Sequence, residues 1–497
     1  DREDFQIIAK PAYPKWIQSA VFYQIFPDRF AKSSAEKKLP EWAVPREWSD
    51  LPKGRDKTTG VEFYGGDFPG ITSHLEYLKG LGVNSIYFTP AFPSRSNHRY
   101  DATSFDEIDP LLGGDKAFIE FSEAAHKAGF RIMGDLTTNH CGAGHRWIQK
   151  ALQSKRAKER EFFYWDPSIP HGYEGWWGLA SLPKLNYNSL RLRELMFSGK
   201  NSVVRKWLNP PFSMDGWRID VGNMTGIYKD QNLNKVVSNG IRDAMDETKP
   251  DAWLVAENAD HSPSDLDGFG WHGTMNYNGF ARPLVNWFNR PNPKLGNFSG
   301  LPGGNPRYDG VGTVAMMRAF AAGIPWRSLI ASMVLLDSHD TARFRTVVAN
   351  DERTHLAAAT LLLTYPGVPS IFAGDELGLE GAWGEDSRRT IDWEHPERWN
   401  EKLFNGFKEL IGIRKRADAL INGGLRWIHA SDNSMAYIRE SKRETLLVYV
   451  SRGSVKETIN LAPYGYTIAE TLYGESKKGA KLIINSRNAT SGIWRLK

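Results

Sequence analysis

The stretch GWRIDV, residues Gly216–Val221, is a short apolar run that closes on an arginine and an aspartate. An apolar run without polar alternation suits a parallel strand buried on both faces. The period of two along a strand puts Arg218 and Asp220 on the same side. Buried charge is costly unless it is paired or used. Downstream the pattern recurs in LVAENAD (Leu254–Asp260), which carries Glu257, and in LLDSHD (Leu335–Asp340), which carries His339 and Asp340. Three carboxylates, each ending a strand-like run, read as a cluster at one end of a barrel.

Eight such runs recur along the chain: Val21–Phe30, Asn84–Pro90, Arg131–Thr137, Gly216–Val221, Ala252–Asn258, Gly273–Tyr277, Val334–Asp340 and Ser370–Glu376. Helical patterns lie between them, such as FIEFSEAAHKAGF (Phe118–Phe130), whose glycine near the end marks a stop. The alternation predicts the α/β class and a closed (β/α)8 TIM barrel. Asp28, Asp135, Asp220, Glu257, Asp340 and Asp375 all fall at C-terminal strand ends, the functional face of such a barrel. Cys141–Asn188, rich in Trp, Tyr, Gly and Pro, is an inserted small domain after the third strand. Short alternating runs such as MAYIRE, TLLVYVS and KLIINS predict a C-terminal antiparallel β-sandwich. The expected division is 1–140 and 189–422 for the barrel, 141–188 for the insertion and 423–497 for the β domain.

Composition narrows the function class. The 497 residues include 18 Trp, 18 Tyr and 25 Phe, enough for large cores and for stacking on sugar faces. The net charge of +5 is spread over a charged fraction of 24%. No basic block of the nucleic-acid type occurs; Ser154–Glu161 mixes signs and reads as a solvated helix face. The single cysteine, Cys141, rules out an intrachain disulfide framework. No run approaches the ~20 apolar residues of a membrane span. No signal peptide is visible, and the chain begins without Met. A cytoplasmic location is expected, with a processed secretory leader as the alternative.

Cleaving a glycosidic bond with retention needs a carboxylate nucleophile and a carboxylic acid about 5–5.5 Å apart. Arg218 can hold the charge of Asp220. Crowding and partial burial favour a proton on the acid. A third carboxylate and histidines can stabilise the positive charge that develops on the sugar.

The ordered set DLTTNH (Asp135–His140), GWRIDV, the Glu257 strand and DSHD (Asp337–Asp340) resembles the four signature regions of the α-amylase family, glycoside hydrolase family 13. FPSRSNHRYD (Phe92–Asp101) and PGVPSIFAGDE (Pro366–Glu376) resemble further family segments. The resemblance implies Asp220 as nucleophile, Glu257 as general acid/base and Asp340 as transition-state stabiliser. Tyr100, His140, Arg218 and His339 then line the −1 sugar site, and Asp135 and Asn139 are structural. VFYQIFPDRF, YGGDFPGI (Tyr64–Ile71) and LPKLN (Leu182–Asn186) are similar to neopullulanases, cyclomaltodextrinases and maltogenic amylases.

That likeness implies an oligosaccharide substrate, no cofactor and cleavage of α-1,4 bonds in small, cyclic maltooligosaccharides. The alternatives are an exo-acting maltodextrin glucosidase and a catalytically silent binding barrel. Three departures qualify it. About twenty residues precede the first strand, where these relatives carry an extra β domain, so monomer and homodimer both stand; cyclic maltosyl-maltose hydrolase is the relative that suits this. Ala31–Lys38 lacks the Asp and Asn ligands that bind calcium in some relatives, and its lysines oppose a hard cation, so no calcium is expected there. Asn258-Ala259-Asp260 lacks the aromatic residue that many relatives carry after the acid. Glu385 with Arg389 or Arg388 is a candidate sugar clamp, an ordinary surface ion pair being the other reading. Trp176–Trp177 is either a stacking platform or packing of the insertion.

Overall fold

The computed structural model describes residues 13–258, 263–291, 295 and 306–497. Eight parallel strands form one sheet: β1 Phe22–Ile25, β2 Ser85–Phe88, β3 Arg131–Thr137, β4 Gly216–Asp220, β5 Trp253–Ala256, β6 Gly273–Thr274, β7 Met333–Val334 and β8 Val368–Phe372. Their order is β6-β5-β4-β3-β2-β1-β8-β7. A parallel bridge between Met275 and Met333 joins the two edges and closes the barrel. The expected (β/α)8 barrel is present; β1 to β6 lie inside their predicted runs, β7 begins one residue before its run and β8 two residues before. The ladder is shorter than the run at β7, because the backbone leaves the sheet at Leu335 and the remaining residues build the rim.

Alternation divides the side chains. Phe22, Met133, Trp253, Val255, Met333 and Val368 fill the barrel interior. Tyr23, Ile132, Trp217, Ile219, Leu254 and Val334 face outward to the helices. Helix α1, Gly114–Lys127, buries Ala117, Phe118, Phe121, Ser122 and Ala125, a stripe at helical spacing. Gly129, at φ 91°, turns the chain back to β3.

The segment 141–188 lies over the C-terminal rim. It holds helix α2, Arg146–Gln153, and isolated bridges that include His140–Lys184 and Phe163–Leu185. The solvated helix expected at Ser154–Glu161 is absent: α2 stops at Gln153, and a 3-10 turn follows at Lys158–Phe162. Lys184 pins the segment down, donating to Asn139 Oδ1 at 2.5 Å and to the Met224 carbonyl at 3.2 Å. Helix α3, Glu352–Thr364, helix α4, Glu401–Arg416, and helix α5, Asp418–Asn422, lead into the C-terminal strands.

Those strands are β9 Gly424–Ala430, β10 Ser434–Glu440, β11 Thr445–Ser451, β12 Val455–Asn460, β13 Ile468–Tyr473, β14 Lys481–Ser486 and β15 Thr490–Leu496. They form an antiparallel sheet, β9-β10-β11-β15-β13, and a β12-β14 pair. Ile438, Leu447, Ile459, Leu482, Ile484 and Trp494 pack between the two layers. The opposite face, with Met435, Tyr437, Leu446 and Val448, joins the barrel's outer core. Among the described residues no helix is long and apolar enough to cross a membrane.

Glu376, just past β8, gives the fold a pH-sensitive element. It is fully buried and accepts from Tyr23 at 2.7 Å, Tyr77 at 2.5 Å and the Gly374 N–H at 3.1 Å. Burial outweighs these donors and pushes its carboxyl up to about 7. A raised carboxyl contributes stability below the unfolded-state value of about 4.5 and loses it as pH rises through about 7. The full difference corresponds to about 3 kcal/mol. Urea unfolding at pH 5 and pH 8 should therefore show wild type losing that stability relative to Glu376→Gln. A pH-independent difference between the two would refute it.

Candidate active site

The polar side chains of the site continue the inward-facing alternation of the strands. Above the apolar floor stand Gln24 of β1, Tyr87 of β2, Asp135 of β3 and Arg218 of β4, all buried. Asp220 and Glu257 follow at the ends of β4 and β5. Arg218 is the hub. Its Nη1 contacts Asp135 at 2.9 and 3.0 Å and Asp220 Oδ1 at 2.8 Å. Its Nη2 lies 2.9 Å from Glu257 Oε2. One guanidinium thus joins three carboxylates, with both candidate catalytic groups on it.

The side chains open progressively toward solvent. Asp220 is 9% exposed, Glu257 22% and Asp340 40%, so the buried carboxylate is at the base of the cleft and the other two are reachable. Val221, directly after Asp220, has φ 46°, a conformation a β-branched residue adopts only under constraint. That turn directs its N–H to Glu257 Oε2 at 2.9 Å and ties the two strand ends together.

One cation serves three carboxylates, and the two most deeply buried of them are pushed toward the protonated form. Burial drives Asp220 well above the usual carboxylate range; Arg218 pulls it back, and the Glu257 charge adds to the rise. Burial likewise raises Asp135 to about 6, against Arg218 and the hydroxyls of Tyr87 and Tyr100. Crowding was expected to keep a proton on the acid. In the structure its clearest upward pressure falls on Asp220 and Asp135, because they are the more deeply buried members.

The two histidines are neutral. Burial pushes His140 down to about 3 and His339 well below its ordinary value. Gln24 Nε2 donates to His339 Nδ1 at 2.7 Å, which leaves the proton on Nε2. His339 Nε2 then faces the Tyr100 hydroxyl at 2.7 Å and Asp340 Oδ2 at 3.0 Å, and Tyr100 donates on to Asp135 at 3.0 Å. The Tyr100 and His339 rings are stacked, with centroids 5.5 Å apart. His140 Nε2 lies 4.0 Å from Asp220 Oδ2. All seven candidate residues (Asp220, Glu257, Asp340, Tyr100, His140, Arg218 and His339) therefore converge on one rim.

The clamp reading needs correction. Arg389 makes a bidentate pair with Asp386 at 2.9 and 3.0 Å, and the structure gives it no contact with Glu385. Arg388 is the one that reaches the site, with Nη2 at 3.2 Å from Asp340 Oδ1 and Nε donating to the His339 carbonyl at 2.8 Å. Gln24 was missed, although a lone amide in the apolar run VFYQIF was its visible signal. Asp28 and Asp375 have structural partners: Asp28 accepts from Arg29 and the Tyr64 and Gly65 amides, and Asp375 accepts from Arg343. In the Ala31–Lys38 loop, Lys37 places its ammonium 2.7 Å from Asp67 Oδ2 and donates to the Gly65 carbonyl. Among the described residues no group of three or more His, Cys, Asp or Glu side chains is arranged to hold a metal. Ala259 and Asp260, after the acid, lie outside the described residues.

The family described as "Alpha amylase, catalytic domain" matches residues 24–398. An intracellular maltogenic amylase from Bacillus subtilis is 30% identical over 465 residues, covering 90% of this chain and 71% of that protein. Cyclic α-maltosyl-(1→6)-maltose hydrolase from Arthrobacter globiformis, solved in complex with that cyclic sugar, superposes with a TM-score of 0.80. It is 28% identical, with 97% of this chain and 100% of that chain covered. The debranching enzyme from Nostoc punctiforme gives a TM-score of 0.82 at 30% identity, covering 99% of this chain and 100% of that one.

Proposed function

The chain belongs to the α-amylase family, and on that premise we propose a retaining hydrolase that cleaves α-1,4-glucosidic bonds in small, cyclic maltooligosaccharides. The observation that carries this reading is the Arg218 guanidinium bridging Asp220 and Glu257 beneath the Tyr100–His339 stack. A single guanidinium spanning both carboxyls supports the short separation of a retaining pair, not the ~6.5–9.5 Å of an inverting one.

Asp220 attacks the anomeric carbon while Glu257 protonates the departing oxygen. Glu257 then takes a proton from water, which releases the covalent intermediate. The proton must sit on Glu257 when attack begins, although burial alone would favour it on Asp220. An arriving glycosidic oxygen accepts a hydrogen bond only from a protonated Glu257, so substrate selects that arrangement of the shared proton. Arg218 then holds the ionised Asp220. Neutral His140 supplies an N–H donor to a sugar hydroxyl, neutral His339 holds Tyr100 and Asp340 in place, Tyr100 presents a ring to the sugar, and Asp340 stabilises positive charge.

The preference for small rings rests on the likeness to the Arthrobacter hydrolase along that enzyme's whole length. A location in the cytoplasm and the division 1–140, 141–188, 189–422 and 423–497 are part of the same proposal. The test is a chromatographic product profile on maltotetraose, pullulan, a cyclodextrin and a cyclic tetrasaccharide with both α-1,4 and α-1,6 bonds. Maltose-sized products from the rings are expected. Glucose from the linear chain with rings untouched would instead mark an exo-glucosidase. Cleavage confined to α-1,6 bonds would mark a debranching enzyme, the reading that the Nostoc likeness favours. No turnover of any substrate would leave the silent barrel.

A further inference from the structure

Three rings stack in file from the catalytic centre to solvent. His140, beside Asp220, stacks on Trp176 at 5.6 Å with planes 23° apart. Trp176 stacks on Trp177 at 4.8 Å and 15°. Trp176 is fixed by its Nε1–H, which points to Met224 Sδ at 3.4 Å, and by its backbone N–H, bonded to the Leu182 carbonyl at 2.9 Å. Trp177 covers it with one face and leaves the other open, at 76% exposure. Trp177 also has φ 51° and ψ 31°, a left-handed conformation that bulky residues avoid. Packing explains Trp176. It does not explain an indole held in a disfavoured backbone conformation with most of its surface in water.

We propose that the outer face of Trp177 is a stacking platform for a glucosyl ring of the substrate beyond the cleaved residue, and so sets the preference for longer or cyclic glucans. The inference rests on the α-glucan reading above. A pyranose presents an apolar C–H face that a flat indole matches, and a ring pre-fixed by Trp176 loses little freedom on binding. The position is continuous with the site through His140. The sequence after Glu257 offers no Trp, Tyr or Phe before Phe269.

The experiment compares Trp177→Ala and Trp177→Phe with wild type on maltotetraose, a cyclodextrin and p-nitrophenyl α-glucoside, which is too short to reach the platform. Trp177→Ala is expected to raise KM on the two glucans, lowering kcat/KM by about tenfold, with the short glucoside turned over as before. Trp177→Phe should restore most of the loss. Unchanged short-substrate turnover also shows that the variant is folded. Equal loss on short and long substrates, or no change in KM on either glucan, overturns the platform alone. A wild-type enzyme that cleaves no α-glucan overturns the platform together with the reading beneath it.

Discussion

Asp220→Asn is expected to lower kcat by about 10^4-fold or more while the protein stays folded and becomes no less stable. Asparagine keeps the shape and still offers an oxygen to Arg218 Nη1, so the 2.8 Å contact has a successor. What disappears is the charge that attacks carbon. The stability half of the prediction comes from the same geometry. Burial and the neighbouring Glu257 charge both push the Asp220 carboxyl up, so its ionised form is costly to the folded state. A group raised in this way stabilises the fold below its unfolded-state value, and that contribution is lost as pH rises through the folded value. The variant escapes that loss, and its margin over wild type should widen from acid toward neutral pH. Product release from a cyclodextrin and thermal melts across that range check both halves together. Activity within a hundredfold of wild type would move the nucleophile elsewhere. A melt that falls with pH relative to wild type would contradict the charge count around Arg218.

The parts of this design that were legible in the sequence are those written in consecutive residues. A strand buried on both faces is a run, and the alternation within GWRIDV already put Arg218 and Asp220 on one side; the barrel and the catalytic rim follow from eight such runs. What could not be read is pairing across the fold. Gln24 and His339 are 315 positions apart, and only closure of the barrel between β1 and β8, with β7 beyond, makes the amide choose the imidazole's tautomer. Arg388 and Arg389 are adjacent and chemically alike. Which one faces Asp340 was decided by the short helix Gly384–Ser387, whose Asp386 captures Arg389. The lysines of Ala31–Lys38 were legible as cations, but Asp67 as the partner of Lys37 was not.

The second large effect lies far from this chemistry in sequence, at the junction of barrel and C-terminal sheet. Arg439 of β10 is fully buried, and no carboxylate pairs with it among the described residues. Its guanidinium donates only to carbonyls: Gly424 at 3.0 Å, Leu420 at 3.2 Å, Gly423 at 2.9 Å and Thr364. Thr364 ends α3, and Leu420 and Gly423 lie at the end of α5, so one cation caps two helix C-termini. Burial lowers Arg439 to about 10, and burial with the Arg439 charge lowers the neighbouring Arg414 to about 9; both remain charged at neutral pH. Two terms then compete in Arg439→Met. Removing the charge recovers about 3 kcal/mol of desolvation, the energy of the shift. Losing four bonds from a charged donor, at roughly 1.5–3 kcal/mol each, costs more. The net expectation is a destabilisation of at least about 3 kcal/mol. Arg439→Lys should fall between, because an ammonium keeps the charge but has three donors and no planar fork. Urea unfolding at pH 7 decides it. A methionine variant as stable as wild type would mean that desolvation outweighs capping at this junction, and that the sheet is held to the barrel by its apolar face alone.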